Sequence, residues 1–110
     1  MKTAALRWHA LQKQGWKPRH AQHVMTLLEQ EIFPELGDVP LDELTINEVR
    51  EAIEAIQARG AINQARRMQV RLAHIFDLAI VDGSMETNPA SPLKQILKPL
   101  VKRKYPAILQ

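Results

Sequence analysis

The sequence contains no cysteine, which excludes a disulfide framework and any zinc site built on cysteine ligands. It also has no run of 18 apolar residues, the length that a membrane-spanning helix needs. Its first residues include no apolar segment of signal-peptide length. These absences fit a reducing compartment, so we expect a cytoplasmic protein without a membrane partner.

Few residue types here suit catalysis. Serine occurs only at Ser84 and Ser91, and neither has a base at a spacing typical of a nucleophilic triad. His20 and His23 are three residues apart, but no carboxylate or cysteine lies near them in the sequence to complete a metal site. The four glycines form no phosphate-cradling loop. We therefore expect no catalytic residue, no metal and no cofactor.

Aromatic residues are also scarce, with two Trp, two Phe and one Tyr. Proteins that bind single-stranded nucleic acid usually stack bases on several aromatic rings, so this composition argues against that function. We expect Trp8 and Trp16 to anchor the core or a helix junction instead.

The charge is unevenly distributed along a chain of 110 residues, a length that allows one ordinary domain. Residues 1–60 carry 7 Lys/Arg and 9 Asp/Glu, a net charge of −2. Residues 61–110 carry 8 Lys/Arg and 3 Asp/Glu, a net charge of +5. This asymmetry indicates a polyanionic partner, although a solvated basic surface is an equally open interpretation.

Apolar residues recur at helical spacing throughout, which predicts an all-α fold of four or five helices. A first helix is expected over residues 3–13, with Ala4, Trp8 and Leu11 on one face. A second begins near Pro18, because proline suits a first helical turn. Its apolar stripe is Ala21, Val24, Met25, Leu28 and Ile32. We expect it to end before Pro34, since the residue preceding proline disfavours helical geometry.

Residues 34–44 are rich in turn formers and predict a linker. Thr45 and Glu48 then have the spacing of a capping box, and Ile46, Val49, Ile53 and Ile56 form the stripe of a third helix that ends near Gly60.

The fourth predicted helix is the longest, over residues 62–82, and Gly83 ends it. Ala65, Met68, Leu72, Ile75, Phe76 and Ala79 line its buried side. Asn88 and Pro89 have the pattern of a cap and a first turn, which predicts a short fifth helix.

A helical wheel of the fourth predicted helix separates its apolar residues from a polar face. That face carries Asn63, Arg66, Arg67, Val70 and His74, with Arg71 on its flank. Arginine forms forked hydrogen bonds with phosphate and with guanine, and an exposed valine could contact a thymine methyl group. We interpret the face as a DNA-contact surface, against the alternative that its arginines only keep a helix solvated.

Two smaller basic features accompany this face. Arg19, His23, Thr26 and Gln30 lie opposite the stripe of the second predicted helix. Lys17 and His20 lie at its start, where exposed N–H groups and the helix dipole favour an anion. Lys102, Arg103 and Lys104 form a basic run that could lie along the DNA backbone, although basic termini are common.

An ordered set of short motifs resembles the core-binding domain of prophage-type tyrosine recombinases, the integrases. The resemblance covers nearly the whole chain, and its specificity comes from the order of the motifs. They are Trp8, WKPRHA at 16–21, FPELGD at 33–38, PL at 40–41, LT at 44–45, GA at 60–61, ARR at 65–67, IFDLA at 75–79, Gly83, NP at 88–89 and PAIL at 106–109.

The resemblance implies a compact, SAM-like helical bundle over residues 1–100 that forms half of a clamp around duplex DNA. Its second and fourth helices would approach the major groove, which makes Arg19, His20, Arg66 and Arg67 the favoured contacts. Residues 101–110 would begin the linker to a catalytic domain of the same parent chain.

The family's catalytic arginines, histidine and nucleophilic tyrosine belong to that catalytic domain. Tyr105 lies in the predicted linker and does not match the nucleophile. We also expect that the arm-binding domain is missing, that the chain is a middle segment of a bacterial or prophage-encoded recombinase, and that protomers assemble on DNA.

Two alternatives remain open from the residues alone. A helical protein-interaction module would use the same amphipathic helices and present its arginines to an acidic partner. A helix-turn-helix regulator needs a turn of three or four residues between two helices. The linker after the second predicted helix is longer than that, and the third predicted helix is acidic.

Overall fold

A computed structural model describes residues 1–95 and 97, and all regular structure in this part of the chain is helical. The α-helices are α1 (Lys2–Gln12), α2 (Pro18–Leu27), α3 (Phe33–Leu36), α4 (Ile46–Ala58) and α5 (Ile62–Val81). A π turn (Leu28–Ile32) joins α2 to α3, and 3-10 turns cover Lys13–Gly15, Leu41–Glu43 and Ser91–Gln95. The predicted all-α fold is confirmed. The third and fourth predicted helices correspond to α4 and α5.

The core lies between α5 and the helices packed around it. α5 contacts α1 on one side and α4 on the other, and α4 also meets the π turn. The largest fully buried side chains come from four of these elements, and they are Val24, Leu28, Ile32, Val49, Ile53, Ile56, Met68, Leu72, Ile75 and Phe76. The apolar stripes predicted for the second, third and fourth helices therefore meet in one core.

Local signals located α4 and α5 correctly. The Glu48 backbone N–H donates to the Thr45 side chain, and the Thr45 N–H donates to the Glu48 carboxylate, which completes the predicted capping box. Gly60 follows α4 with a φ of +87°, a conformation that only glycine adopts readily. α5 then runs to Val81, one residue short of its predicted end.

The expected end of the second helix before Pro34 is wrong. The helical path continues from α2 through the π turn into α3, and Pro34 lies in the first turn of α3. A first turn makes no use of the missing proline N–H, and the wider π turn absorbs the change in backbone direction at Ile32, whose φ is −115°. The π turn also shifts the helical register, so Gln30 does not continue the face of Arg19 and His23 in simple α-helical spacing.

Two residues of the predicted apolar faces are exposed. Leu11 is 49% exposed, although it lies near His74, Leu78 and Val81 of α5. Ile46 is 48% exposed at the first position of α4, whereas Val49, one turn later, is fully buried. Each of these residues lies near the end of its own helix, outside the fully buried part of the stripe.

The predicted fifth helix is replaced by the 3-10 turn Ser91–Gln95. Asn88 nevertheless acts as a cap, since its Oδ1 accepts hydrogen bonds from the backbone N–H groups of Ala90 and Ser91 at 2.9 and 3.1 Å. Its Nδ2 donates to the carbonyl oxygen of Ala73 at 2.8 Å, which holds the segment against α5.

Candidate nucleic-acid interface

The start of α2 presents a cluster of exposed cationic and imidazole side chains. Lys17 precedes the helix in an extended conformation, and its side chain makes no capping hydrogen bond. Lys17, Arg19, His20 and His23 are all exposed, as the sequence predicted. The first N–H groups of a helix have no intrahelical acceptor, so this end combines side-chain donors with backbone donors. We call these four residues the α2 start.

Aromatic side chains pack against the α2 start. The ring of Trp16 lies edge-on to that of His20 at 4.8 Å between centroids, and to the buried Trp8 at 5.7 Å. The Nε2 of the buried His9 lies 2.7 Å from the carbonyl oxygen of Ala21, and must carry the hydrogen because a carbonyl oxygen can only accept. Both tryptophans are junction anchors, as expected, and they hold α2 against α1.

The outer side of α5 carries the second cationic surface. Asn63, Arg67 and Val70 are exposed, and Val70 is 48% exposed, in agreement with the helical wheel. Arg66 and Arg71 are half-buried on the flanks. We call these five residues the α5 face. His74 continues the same side of the helix and is also exposed.

Arg71 is in an unfavourable environment. Its Nη1 is buried without a hydrogen-bond partner. Burial lowers the pKa of the Arg71 guanidinium below its ordinary value, and the neighbouring charge of Arg67 lowers it further. Arginine still remains protonated at neutral pH. An anion between the two guanidinium groups would relieve their repulsion, so the α5 face is electrostatically suited to a phosphate.

One polar contact joins the π turn to the end of α4 and the start of α5. The Oε2 of Glu31, on the π turn after α2, accepts hydrogen bonds from Arg59 Nη2 at 2.8 Å and Gln64 Nε2 at 3.4 Å. The hydrogen bond from Arg59 raises the pKa of its guanidinium above the ordinary value. No local sequence pattern indicates this contact, because its members are up to 33 residues apart.

Part of the predicted surface lies outside the described residues. This holds for Lys102, Arg103, Lys104 and Tyr105, and for residues 98–100 before them. Within residues 1–95 and 97, no group of three His, Cys, Asp or Glu side chains is arranged to hold a metal ion. None of the helices described there is long and apolar enough to cross a membrane.

Residues 1–96 match the model of the phage integrase central domain. The chain belongs to this family. The resemblance found in the sequence motifs is therefore confirmed, and the chain is a phage-integrase domain.

Curated relatives agree with this assignment. The integrase of Enterobacteria phage P4 is 32% identical over 104 residues, which cover 94% of this chain and 24% of the relative. The prophage integrase IntS of Escherichia coli K12 is 27% identical over 99 residues, covering 90% of this chain and 26% of the relative. The chain thus spans about a quarter of the length of the curated relatives it matches.

A solved structure has the same fold. The NMR structure of a fragment from the putative phage integrase IntS of E. coli superposes with a TM-score of 0.77 and 21% identity, covering 94% of each chain. At this identity the match establishes the helical architecture and carries no information about individual contacts.

Proposed function

We propose that this domain binds duplex DNA as the core-binding domain of a site-specific tyrosine recombinase, and holds the crossover site during integration and excision. The observation that carries the proposal is the α5 face, where exposed arginine lies on the side of a long helix opposite its buried stripe. The family membership agrees with a recombinase parent.

The proposed contacts divide into two kinds. Phosphates supply most of the affinity, and we assign them to the α2 start and to Arg66, Arg67 and Arg71. Base edges in the major groove supply specificity, and Asn63, Arg67 and Val70 are the exposed α5 side chains suited to them. The basic run of Lys102, Arg103 and Lys104 would add phosphate contacts along the linker.

The domain would not act alone. In this proposal it supplies no catalytic residue, and a catalytic domain of the same parent chain, with a tyrosine nucleophile, closes the clamp from the other side of the duplex. Further protomers would assemble on the same DNA. Because the other half of the clamp would come from that catalytic domain, the central domain by itself should bind weakly and with strong salt dependence.

The second candidate function is that of a helix-turn-helix regulator, for which the turn between α4 and α5 provides a structural basis. Three residues, Arg59, Gly60 and Ala61, join α4 to α5, and this is a suitable turn length. In that arrangement α5 would enter the groove while α4 crossed the phosphate backbone. The exposed carboxylates of Glu51 and Glu54 on α4 oppose such a crossing. The two proposals share α5 and differ in whether α2 takes part.

The test is a titration of the isotope-labelled domain with a mixed-sequence duplex at low salt, followed by backbone amide shifts. Our proposal requires shifts at residues 17–23 and 63–71 together. Shifts in α4 and α5 without the α2 start would favour the helix-turn-helix rival. Absence of shifts in both α2 and α5 would refute the DNA-contact assignment, and capture of an acidic protein partner that survives nuclease treatment would then support a protein-interaction module.

A further inference from the structure

Glu31 occupies a position where three helical segments meet. It lies on the π turn Leu28–Ile32, and the same carboxylate oxygen accepts from Arg59, which ends α4, and from Gln64, in the first turn of α5. The Glu31 side chain is only 14% exposed, whereas that of Arg59 is 53% exposed. The carboxylate is therefore held inside the junction while its main partner remains at the surface.

A small tilt of the helix at this contact would produce a larger displacement of the proposed DNA surface. Gln64 precedes Arg67 by three residues on α5, about 5 Å along the helix axis. Arg19 precedes Glu31 by twelve residues along α2 and the π turn, about 18 Å at the helical rise. Over that distance, a tilt of about 5° at the contact would move the α2 start by about 1.5 Å. Displacements of this size disrupt a preorganised binding constellation.

The contact acts at an irregular point of the helix. A π turn has wider, i→i+5 hydrogen bonding than an α-helix and usually marks a functional irregularity. Ile32 departs from ideal helical geometry directly after it. The buried side chains of Leu28 and Ile32 anchor the turn to the core, and the charge-assisted hydrogen bond from Arg59 to Glu31 adds a directional contact.

We propose that Glu31 is a positioning residue for DNA binding, which sets the direction of α2 relative to α5 so that both cationic surfaces meet one duplex. This inference rests on the proposed DNA-binding function. It concerns a residue that does not itself touch DNA, and whose negative charge would, by Coulomb's law alone, weaken the binding of a polyanion.

Loss of the negative charge and loss of the junction contact should change the affinity for DNA in opposite directions, which makes the proposal testable. Glu31→Ala removes one negative charge and the junction contact, whereas Glu29→Ala removes one negative charge from an exposed position two residues away. We expect Glu29→Ala to bind a labelled mixed-sequence duplex as tightly as the unmodified domain, or up to about twofold more tightly. We expect Glu31→Ala to bind about three- to tenfold more weakly, because the hydrogen bonds that orient α2 are lost.

Residual dipolar couplings of the free domain supply a readout that a general loss of stability would not move. In fully folded protein, Glu31→Ala should change the direction of α2 relative to α5, and Glu29→Ala should leave it unchanged. If Glu31→Ala does not fold, Glu31→Gln replaces it. That variant keeps an acceptor for Arg59 without the charge, so it should show a smaller change of the same sign.

The outcomes separate the two proposals. If the unmodified domain binds no duplex, the proposed function fails and this inference fails with it. If the unmodified domain binds and the Glu31 variants bind as tightly as Glu29→Ala, with unchanged helix directions, DNA binding stands and the positioning role is overturned. Weaker binding with a reoriented α2 supports both.

Discussion

The side chain of Gln69 donates a hydrogen bond from its Nε2 to the carbonyl oxygen of Ala90, at 2.8 Å, and both residues are buried. Gln69 lies on α5, between the core residue Met68 and the exposed Val70. The bond therefore fastens the segment after α5 to the helix that carries the α5 face. It also satisfies a backbone acceptor that water does not reach, which gives it a measurable role in stability.

We predict that Gln69→Leu lowers the free energy of unfolding by about 1–2 kcal/mol, because leucine keeps the volume and leaves the Ala90 carbonyl without its donor. Urea denaturation measures this change. Gln30→Leu, at an exposed position, is the control and should change stability by less than about 0.5 kcal/mol. Equal midpoints for the two variants would show that the Ala90 oxygen finds another donor.

The capping box of α4 supports a second stability prediction. Thr45→Ala removes the hydroxyl oxygen that accepts from the Glu48 N–H at 3.2 Å, so the variant should lose about 1 kcal/mol. Thermal denaturation followed by circular dichroism measures it, with the exposed Thr87→Ala as the control. A loss of the same size in both variants would contradict a capping contribution.

The turn between α4 and α5 supports a third. Gly60 has a positive φ, and no atom lies within 4 Å of the position that a Cβ would take, so Gly60→Ala introduces backbone strain without a clash. We expect a loss of about 1–2 kcal/mol. Gly15→Ala is the matched control, because its surroundings are equally open and its φ is not positive. That variant should be neutral or slightly stabilising. Indistinguishable stabilities would refute the strain argument.

Arg67 is the exposed guanidinium at the centre of the α5 face. We predict that Arg67→Ala weakens duplex binding and reduces the slope of log K against log salt by about 1, the contribution of one phosphate contact. Fluorescence anisotropy across a range of salt concentrations measures both quantities. Arg50→Ala removes the same charge from the exposed side of α4 and should leave the slope unchanged. An unchanged slope for Arg67→Ala would mean that Arg67 contacts no phosphate.

Substitution of Arg71 should have opposite effects on the stability of the free domain and on its affinity for duplex DNA. Arg71→Met removes a buried, unpartnered N–H group and the repulsion from Arg67, so the free domain should gain about 1 kcal/mol of stability. The same variant should bind duplex DNA more weakly, since one cation is lost from the α5 face. Urea denaturation and anisotropy on the same samples measure the pair of effects. The exposed Arg67→Met should lose binding with a smaller gain in stability, because it removes the repulsion but leaves the buried N–H group of Arg71 without a partner. Loss of both stability and binding in Arg71→Met would contradict this account.

Structural features that depend on neighbouring residues along the chain could be predicted from the sequence. The capping box at Thr45 and Glu48, the left-handed Gly60 and the exposed Val70 all follow from contacts or spacing within about one or two helical turns. The polar face of α5 could be drawn on a wheel for the same reason. The site residues themselves remain predictions, since their contact with DNA is a proposal.

The burial of a residue and the end of a helix could not be predicted where they depend on contacts with residues distant in sequence. Periodicity placed Ile46 in a buried stripe, but it is 48% exposed at the first position of α4, because coverage of a stripe depends on the neighbouring elements. Pro34 indicated a helix end, but burial of Leu28 and Ile32 favours a π turn that carries the chain onward as a helix. Packing free energy outweighs such local preferences when the alternative exposes several large side chains.

The amino-acid sequence by itself determined that the domain is all-helical, where α4 and α5 begin and end, which side of α5 bears arginine, and which family the motifs resemble. These properties follow from short-range hydrogen bonding and from helical periodicity. Only the tertiary structure decided that Glu31 contacts Arg59 and Gln64, which lie 28 and 33 residues away, and that Gln69 is bonded to Ala90, 21 residues away. Those relationships arise from packing of residues remote in sequence, which no local pattern encodes.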